Sequence, residues 1–324
     1  MKKIALLVLL AVAAAATAQA AAAPKSPKAK PPRPPQVTTG SATSIGQTAA
    51  TLNGSVNPRG LATAYHFDYG RTTAYGHSTT TLSAGSGTTA KSVSARITGL
   101  APGATYHFRL VASNSAGMTL GKDSHLATLP RLTISSKPNP IVYGSATAIS
   151  GQLQAPNNAG RSIDLEANPY PYKGFVTVAT TTTDALGRYS FASQRPPLNT
   201  RFRTTTANGP SVTSRTIREG VRIRISRHAS DTTPAIGQRV RFTGFACPAH
   251  VGNVVLLQRR SSPGHWVTVK QTHLVQATAS PGCANRSRYK VGIDIQRNGT
   301  FRTIAGADFD HLRGISRTIG IKVH

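Results

Sequence analysis

The chain has 324 residues, with 38 Lys and Arg against 10 Asp and Glu, and a formal charge of +28. So few carboxylates leave little material for paired acid–base catalysis, and no apolar run of about 18 residues follows position 20, so no later membrane-spanning helix is expected. Abundant Thr, Ser, Ala and Gly with no long stretch at helical period point to an all-β fold, because the branched Thr side chain suits a pleated surface.

Residues 1–20 read as a secretion signal. Met1-Lys2-Lys3 is a basic start, Ile4 to Ala16 an apolar core of export length, and Ala18-Gln19-Ala20 a small-residue cleavage site. No Cys follows the apolar core, so a lipid anchor is not expected. Residues 21–35 carry Pro24, Pro27, Pro31, Pro32, Pro34 and Pro35 among Lys and Arg. Proline blocks regular pairing and like charges repel, so this segment is expected as an extended spacer. The mature chain is therefore expected outside the cell or in its envelope.

Residues 36–129 alternate in short runs. Thr48 to Val56 breaks at Asn57-Pro58-Arg59-Gly60, Ala64 to Gly70 alternates again, and Ser92 to Ile97 leads to Leu100-Ala101-Pro102-Gly103-Ala104-Thr105-Tyr106. That last stretch is a Pro-Gly turn feeding a strand that opens on Tyr, the layout of a sandwich corner in which a Tyr hydroxyl ties the loop to the sheet. Leu100, Pro102, Gly103 and Tyr106 are its structural residues. A strand from Tyr106 to Ala112 and one near Asp123 to Thr128 complete about seven strands.

On the Asn-Pro turn with Tyr65 to Gly70, the Leu100 to Tyr106 corner, and the Val111-Ala112-Ser113-Asn114-Ser115-Ala116-Gly117 turn, this segment resembles a bacterial extracellular fibronectin type III domain. The resemblance implies a β-sandwich. That family's early core Trp is missing, and Leu52 and Phe67 are expected to fill its volume. The chain has no Arg-Gly-Asp, so adhesion through that tripeptide is not implied.

Residues 130–220 and 221–324 read as two copies of one further unit. Gly144 to Gly151 matches Gly237 to Gly244 at an offset of 93, and Phe175-Val176-Thr177-Val178 matches Trp266-Val267-Thr268-Val269 at 91. Gly187-Arg188-Tyr189 matches Ser287-Arg288-Tyr289 at 100, and Phe202-Arg203-Thr204 matches Phe301-Arg302-Thr303 at 99. The jump in offset marks an insertion in the second copy. Thr183 to Tyr189 reads as a hairpin, with Asp184 opening the turn and Gly187 closing it. These units resemble the immunoglobulin-like and carboxypeptidase-regulatory-like repeats of bacterial surface proteins, which leaves their strand topology open. The expected fold is thus all-β: tandem β-sandwich modules, one fibronectin type III and two immunoglobulin-like.

The two cysteines, Cys247 and Cys283, both lie in the last unit, the second inside the insertion. In an exported chain a disulfide is the favoured reading, with a metal pair or free thiols as rivals. His250, His265 and His273 lack tight ligand spacing. Asp308-Phe309-Asp310-His311 is the densest polar group, but it lacks an oxygen-rich calcium loop and reads as a solvated turn. No nucleophile elbow or phosphate-cradling glycine loop is present, so neither enzymatic activity nor a metal or other cofactor is expected.

Charge rises along the chain, from +4 over 36–129 to +6 over 130–220 and +12 over 221–324. The candidate contact set is Arg222, Arg224, Arg239, Arg241, Arg259, Arg260, Arg286, Arg288 and Lys290, with Trp266 close by. One reading is a grip for phosphate, carboxylate or sugar faces. The other is that these residues occupy outward strand positions, with Trp266 in the core. The functional expectation is a non-enzymatic binding or structural protein whose basic end meets an anionic cell-wall polymer or polysaccharide. The alternative is an accessory component of an extracellular glycan-degrading system.

Overall fold

The computed structural model describes residues 31–208 and 211–324. The expected leader over 1–20 and residues 21–30 of the spacer lie outside the described residues. All regular structure among the described residues is β.

The first module contains β1 (Gln36–Thr39), β2 (Ala49–Asn57), β3 (Thr63–Gly70), β4 (Gly76–Ser78), β5 (Leu82–Gly85), β6 (Lys91–Thr98), β7 (Thr105–Asn114), β8 (Gly117–Leu120) and β9 (Ser124–Ala127). One sheet runs β1-β2-β6, and the facing sheet runs β4-β3-β7-β8, with β5 also on β3 and β9 on β7. Alternation turns one face of each sheet inward. Leu52 and Phe67 are fully buried and share one core with Phe108, Leu110 and Tyr65. At the corner, the Ala101 N–H donates to the Tyr106 hydroxyl oxygen at 2.9 Å. Gly103 has φ +62°, and a Cβ there would lie 2.6 Å from Ala155 Cα of the next module. Only glycine tolerates both that backbone and that approach.

The spacer's last residues do not stand free of the module. The Arg33 and Pro35 carbonyls accept from Asn114 Nδ2 and Thr119 Oγ1, at 3.0 and 2.7 Å, and Pro35 is buried. Side chains at the end of β7 and on β8 supply these donors, so residues 33–35 lie against that end of the sheet.

The second module holds β10 (Arg131–Leu132), β11 (Ser135–Lys137), β12 (Ile141–Val142), β13 (Thr147–Gln154), β14 (Ser162–Pro169), β15 (Val176–Thr182), β16 (Arg188–Gln194), β17 (Thr200–Thr206) and β18 (Ile217–Glu219). β13 carries β10 and β11 along one edge and β16 on the other, and the opposite sheet runs β15-β14-β17-β18. The turn over Thr183 to Tyr189 is built as expected, with Asp184 Oδ1 accepting the Leu186 and Arg188 amides at 2.8 Å. It does not close a hairpin, however. β15 pairs with β14 and β16 with β13, so the turn carries the chain from one sheet to the other.

The third module begins with β19 (Val221–Arg222), β20 (Arg224–Ile225) and β21 (His228–Ala229). It continues through β22 (Arg239–Cys247), β23 (Val254–Ser262), β24 (His265–His273), β25 (Val275–Ala277), β26 (Arg286–Asp294), β27 (Gly299–Ala305), β28 (Gly314–Ile315) and β29 (Ile319–Ile321). One sheet is β20-β22-β26-β25 with β21 on β22; the other is β24-β23-β27-β28 with β29 on β27. All three modules share one plan: one sheet is built on the pair β2 with β6, β13 with β16 or β22 with β26 beside the module's opening strands, and the facing sheet on β3 with β7, β14 with β17 or β23 with β27. Each sandwich has its own core.

The inferred repeat appears as a buried polar network. Tyr189 Oη lies 2.8 Å from Thr204 Oγ1, and Tyr289 Oη lies 3.0 Å from Thr303 Oγ1. The Thr204 and Thr303 amides donate to Ser214 and Ser316 Oγ at 2.9 and 3.0 Å. Tyr189 also donates to the Thr133 carbonyl and Tyr289 to that of Ser226. Each phenol crosses over a glycine. A Cβ at Gly151 would sit 2.4 Å from Tyr189 Oη, and one at Gly244 would sit 2.6 Å from Tyr289 Oη. Burial pushes both phenols up to about 12.

Candidate functional site

Period-two alternation on β22 turns Val240, Phe242 and Ala246 into the core and leaves Arg239, Arg241 and Phe245 exposed. β26 behaves the same way, burying Tyr289 and Val291 and exposing Arg288 and Lys290. The register sets Lys290 opposite Thr243 and Arg288 opposite Phe245. Arg286 lies with its guanidinium carbon 4.1 Å from the centre of the Phe245 ring, which is itself 41% exposed. Arg224, on β20 opposite Cys247, donates to the Gly282 carbonyl at 2.6 Å. Six of the nine nominated cations thus belong to one sheet. Asp294 offsets this field at one end through a 3.2 Å contact to Arg239, both side chains being largely exposed. A depression of about 430 Å³ lies on the same sheet, lined by Thr243, Phe245, Val275, Arg288 and Lys290 among others.

The other three nominated residues lie elsewhere. Arg259 and Arg260 belong to β23, in the opposite sheet. Arg222 is half-buried at the joint, where β19 pairs in parallel with β12. Neighbouring positions in a sequence do not share a sandwich face, so one list of cations divides between two sheets and a joint.

A disulfide joins Cys247 to Cys283, with Cα atoms 6.0 Å apart. It anchors the inserted loop before β26 to the end of β22, beside the basic face.

Trp266 is not a core residue. It is half-buried on β24, under the guanidinium of Arg302, whose carbon lies 4.1 Å from the ring centre. The same arrangement occurs in every module. Arg203 covers Phe175 at 4.1 Å and Arg109 covers Tyr75 at 4.6 Å. Across the sheet, Arg109 pairs with Asp68 at 3.1 Å and Arg203 with Glu166, whereas Arg302 Nε donates to the neutral Gln258 Oε1 at 3.0 Å. Burial pulls the pKa of Arg302 down, and Arg313 adds repulsion. Sequence reading did not nominate Arg302. The signal was there in two repeat anchors, Phe301-Arg302-Thr303 and Trp266, which lie on the two strands flanking β23, so that Arg302 reaches across that strand to the ring.

The turn at Asp308 to His311 is not simply solvated. His311 is 1% exposed and His250, from the loop between β22 and β23, is 8% exposed. Ligand atoms of His250, Asp308, Asp310 and His311 all fall within 4.8 Å of one another. Burial raises Asp308, but a hydrogen bond with Asp310, attraction to His250 and the His311 amide outweigh it and leave its carboxyl low. Burial and the hydrogen bond with Asp308 push Asp310 up. Sequence spacing missed the group because 58 residues separate His250 from Asp308.

No family model matches the chain and no curated protein matches it. Among solved structures, the chain is similar to a tetra-tandem repeat in the extending region of a large adhesion protein, at 17% identity over 89% of this chain and 74% of that one, with a TM-score of 0.29. It is similar to the chicken CNTN1 FN1-FN3 domains at 16% identity, over 90% of this chain and 99% of that one, with a TM-score of 0.27. A third similarity is to the sensor domain of the anti-sigma factor RsgI4 in Pseudobacteroides cellulosolvens, at 23% identity over 30% and 95% of the two chains and a TM-score of 0.24. On its own strand order, the chain is an all-β protein of tandem fibronectin-type-III-like and immunoglobulin-like sandwiches.

Proposed function

We propose that this chain works by binding rather than catalysis, outside the cell, and that its third module contacts an anionic polymer through the outer face of β22 and β26. The supporting observation is that Arg239, Arg241, Arg288 and Lys290 project from the exposed positions of two paired strands, with Arg286 stacked on Phe245 beside them. Cations held on adjoining strands match a repeating anionic backbone, and counterion release drives such association. The first two modules supply spacing and surface.

The experiment is retention of the purified chain on isolated phosphate-bearing wall polymer through a salt series. Retention weakens by roughly tenfold or more between 50 and 200 mM salt if several cations engage. Replacing Arg241, Arg288 and Lys290 by Gln flattens that dependence. Binding that ignores ionic strength, or survives the triple substitution, overturns the reading. Salt-resistant capture by a neutral polysaccharide transfers the chain to the glycan-accessory alternative.

A further inference from the structure

We propose that His250, Asp308, Asp310 and His311 form a zinc-class divalent metal site, at the joint between the second and third modules. His250 comes from the loop between β22 and β23, and the other three come from the loop between β27 and β28. Their ligand atoms already lie within 4.8 Å of one another. Around a tetrahedral ion with ligands 2.0–2.1 Å away, donor atoms stand roughly 3.4 Å apart. Binding would draw the farther pairs together and part close ones such as His311 Nδ1 and Asp310 Oδ1, now 2.9 Å apart.

The strongest observation is the bonding of His311. Its Nε2 lies 2.8 Å from the Pro197 carbonyl oxygen, which only accepts, so Nε2 carries the hydrogen. Nδ1 faces Asp310 Oδ1 at 2.9 Å, a contact that a proton on Nδ1 bridges and that a metal ion can bridge in its place, both atoms then serving as ligands. An imidazole held from behind by a backbone carbonyl is also how metal-bound histidines are commonly oriented.

His250 gives a second, independent observation. Its side chain is 6% exposed, Nδ1 meets Asp308 Oδ2, and Nε2 has no hydrogen-bond partner. The two imidazoles stand edge to face, 5.0 Å between centres. Two imidazoles with two carboxylates select the zinc class over calcium or magnesium, which take oxygen ligands. Two carboxylates, on the more open side of the group, also neutralise a divalent ion. Four protein ligands close the tetrahedron, which makes the site structural rather than catalytic.

The second module grips the ligand loop. The Asn199 amide donates to the Asp310 carbonyl at 2.8 Å, and Asn199 Nδ2 donates to that of Phe309 at 3.3 Å. Phe309 stacks on Tyr170, and Tyr143 lies against His311. A bound ion therefore fixes the surface on which the second module rests.

The test uses the whole chain, stripped with chelator, desalted, and titrated with Zn²⁺ by calorimetry, with metal content read by elemental analysis. One zinc per chain is expected, together with a rise in Tm and, on Co²⁺ substitution, the visible absorption of a tetrahedral centre. The D308N/D310N variant loses the metal, while H265A, at an exposed histidine of β24, retains it. Circular dichroism checks the folding of each variant, and if the double variant does not fold, the single D310N variant decides through at least a tenfold loss of affinity. Wild-type protein that retains no zinc at micromolar metal, or a folded D308N/D310N or D310N variant that binds as wild type does, overturns the proposal.

Discussion

Arg302 covers Trp266 at 4.1 Å and bonds the neutral Gln258, where the matching arginines of the first two modules meet Asp68 and Glu166. Three modules thus keep an arginine-on-aromatic stack while the third omits its counter-charge. Trp266 is the sole Trp of the chain, so its fluorescence reports on this stack directly. Arg302→Ala is expected to shift that emission to the red and to cost about 0.5–1 kcal/mol in urea unfolding. Gln258→Glu is expected to leave the emission in place and to change stability by no more than about 1 kcal/mol, since partly exposed ion pairs contribute little.

The disulfide closes a separation of 36 residues. In the chain-entropy view that constraint is worth roughly 3–4 kcal/mol, exerted on the unfolded chain. The C247S/C283S variant should lose stability on that scale in denaturant titration. Loss of polymer binding beyond the loss of stability would show that the loop also orders Arg286 and Arg288. Unchanged unfolding would remove the bond from any structural role.

Tyr189 and Tyr289 hold their protons up to about 12, against an ordinary 10.0. A folded state that keeps the proton longer than the unfolded chain is stabilised below pH 10 and loses that contribution as pH rises through the folded value. Thermal melts between pH 9 and 12 should fall more steeply for wild type than for the Y189F/Y289F variant. At neutral pH each Phe substitution should cost about 1–3 kcal/mol, because Thr204 or Thr303 and a carbonyl lose a buried partner.

Glu219 is fully buried, and desolvation raises its pKa. Its protonated form suits the fold, so its contribution favours folding at acid pH and is lost as pH rises past the ordinary carboxyl range. Glu219→Gln should therefore melt above wild type at pH 7 and converge with it near pH 4. A variant that melts below wild type at both values would show that the carboxylate itself is needed.

The sandwich was legible because alternation is a local signal. Leu52, Phe67, Val240 and Phe242 each announce an inward face within a few residues, and Tyr106 lies only five residues from Ala101, whose N–H its hydroxyl oxygen accepts. The disulfide followed from the presence of only two cysteines in a chain whose start reads as an export signal. What sequence did not yield depends on which sheet each strand joins. Arg241 and Arg259 look alike along the chain yet fall in opposite sheets, and the Asp184 turn looks like a hairpin yet crosses between sheets. His250 and His311 escaped for the same reason, since loops distant in sequence meet only when the sandwich closes.

The segment after Gly220 belongs to both modules it joins. Ile141 and Tyr143 donate to the Gly220 and Arg222 carbonyls at 2.9 Å, while Leu312 donates to Val221 at 2.7 Å and accepts from Ile223 at 3.0 Å. A mechanical load applied along the chain reaches these bonds before the segment can straighten. Separating the second and third modules along the chain therefore requires these backbone bonds to break, not a free linker to straighten.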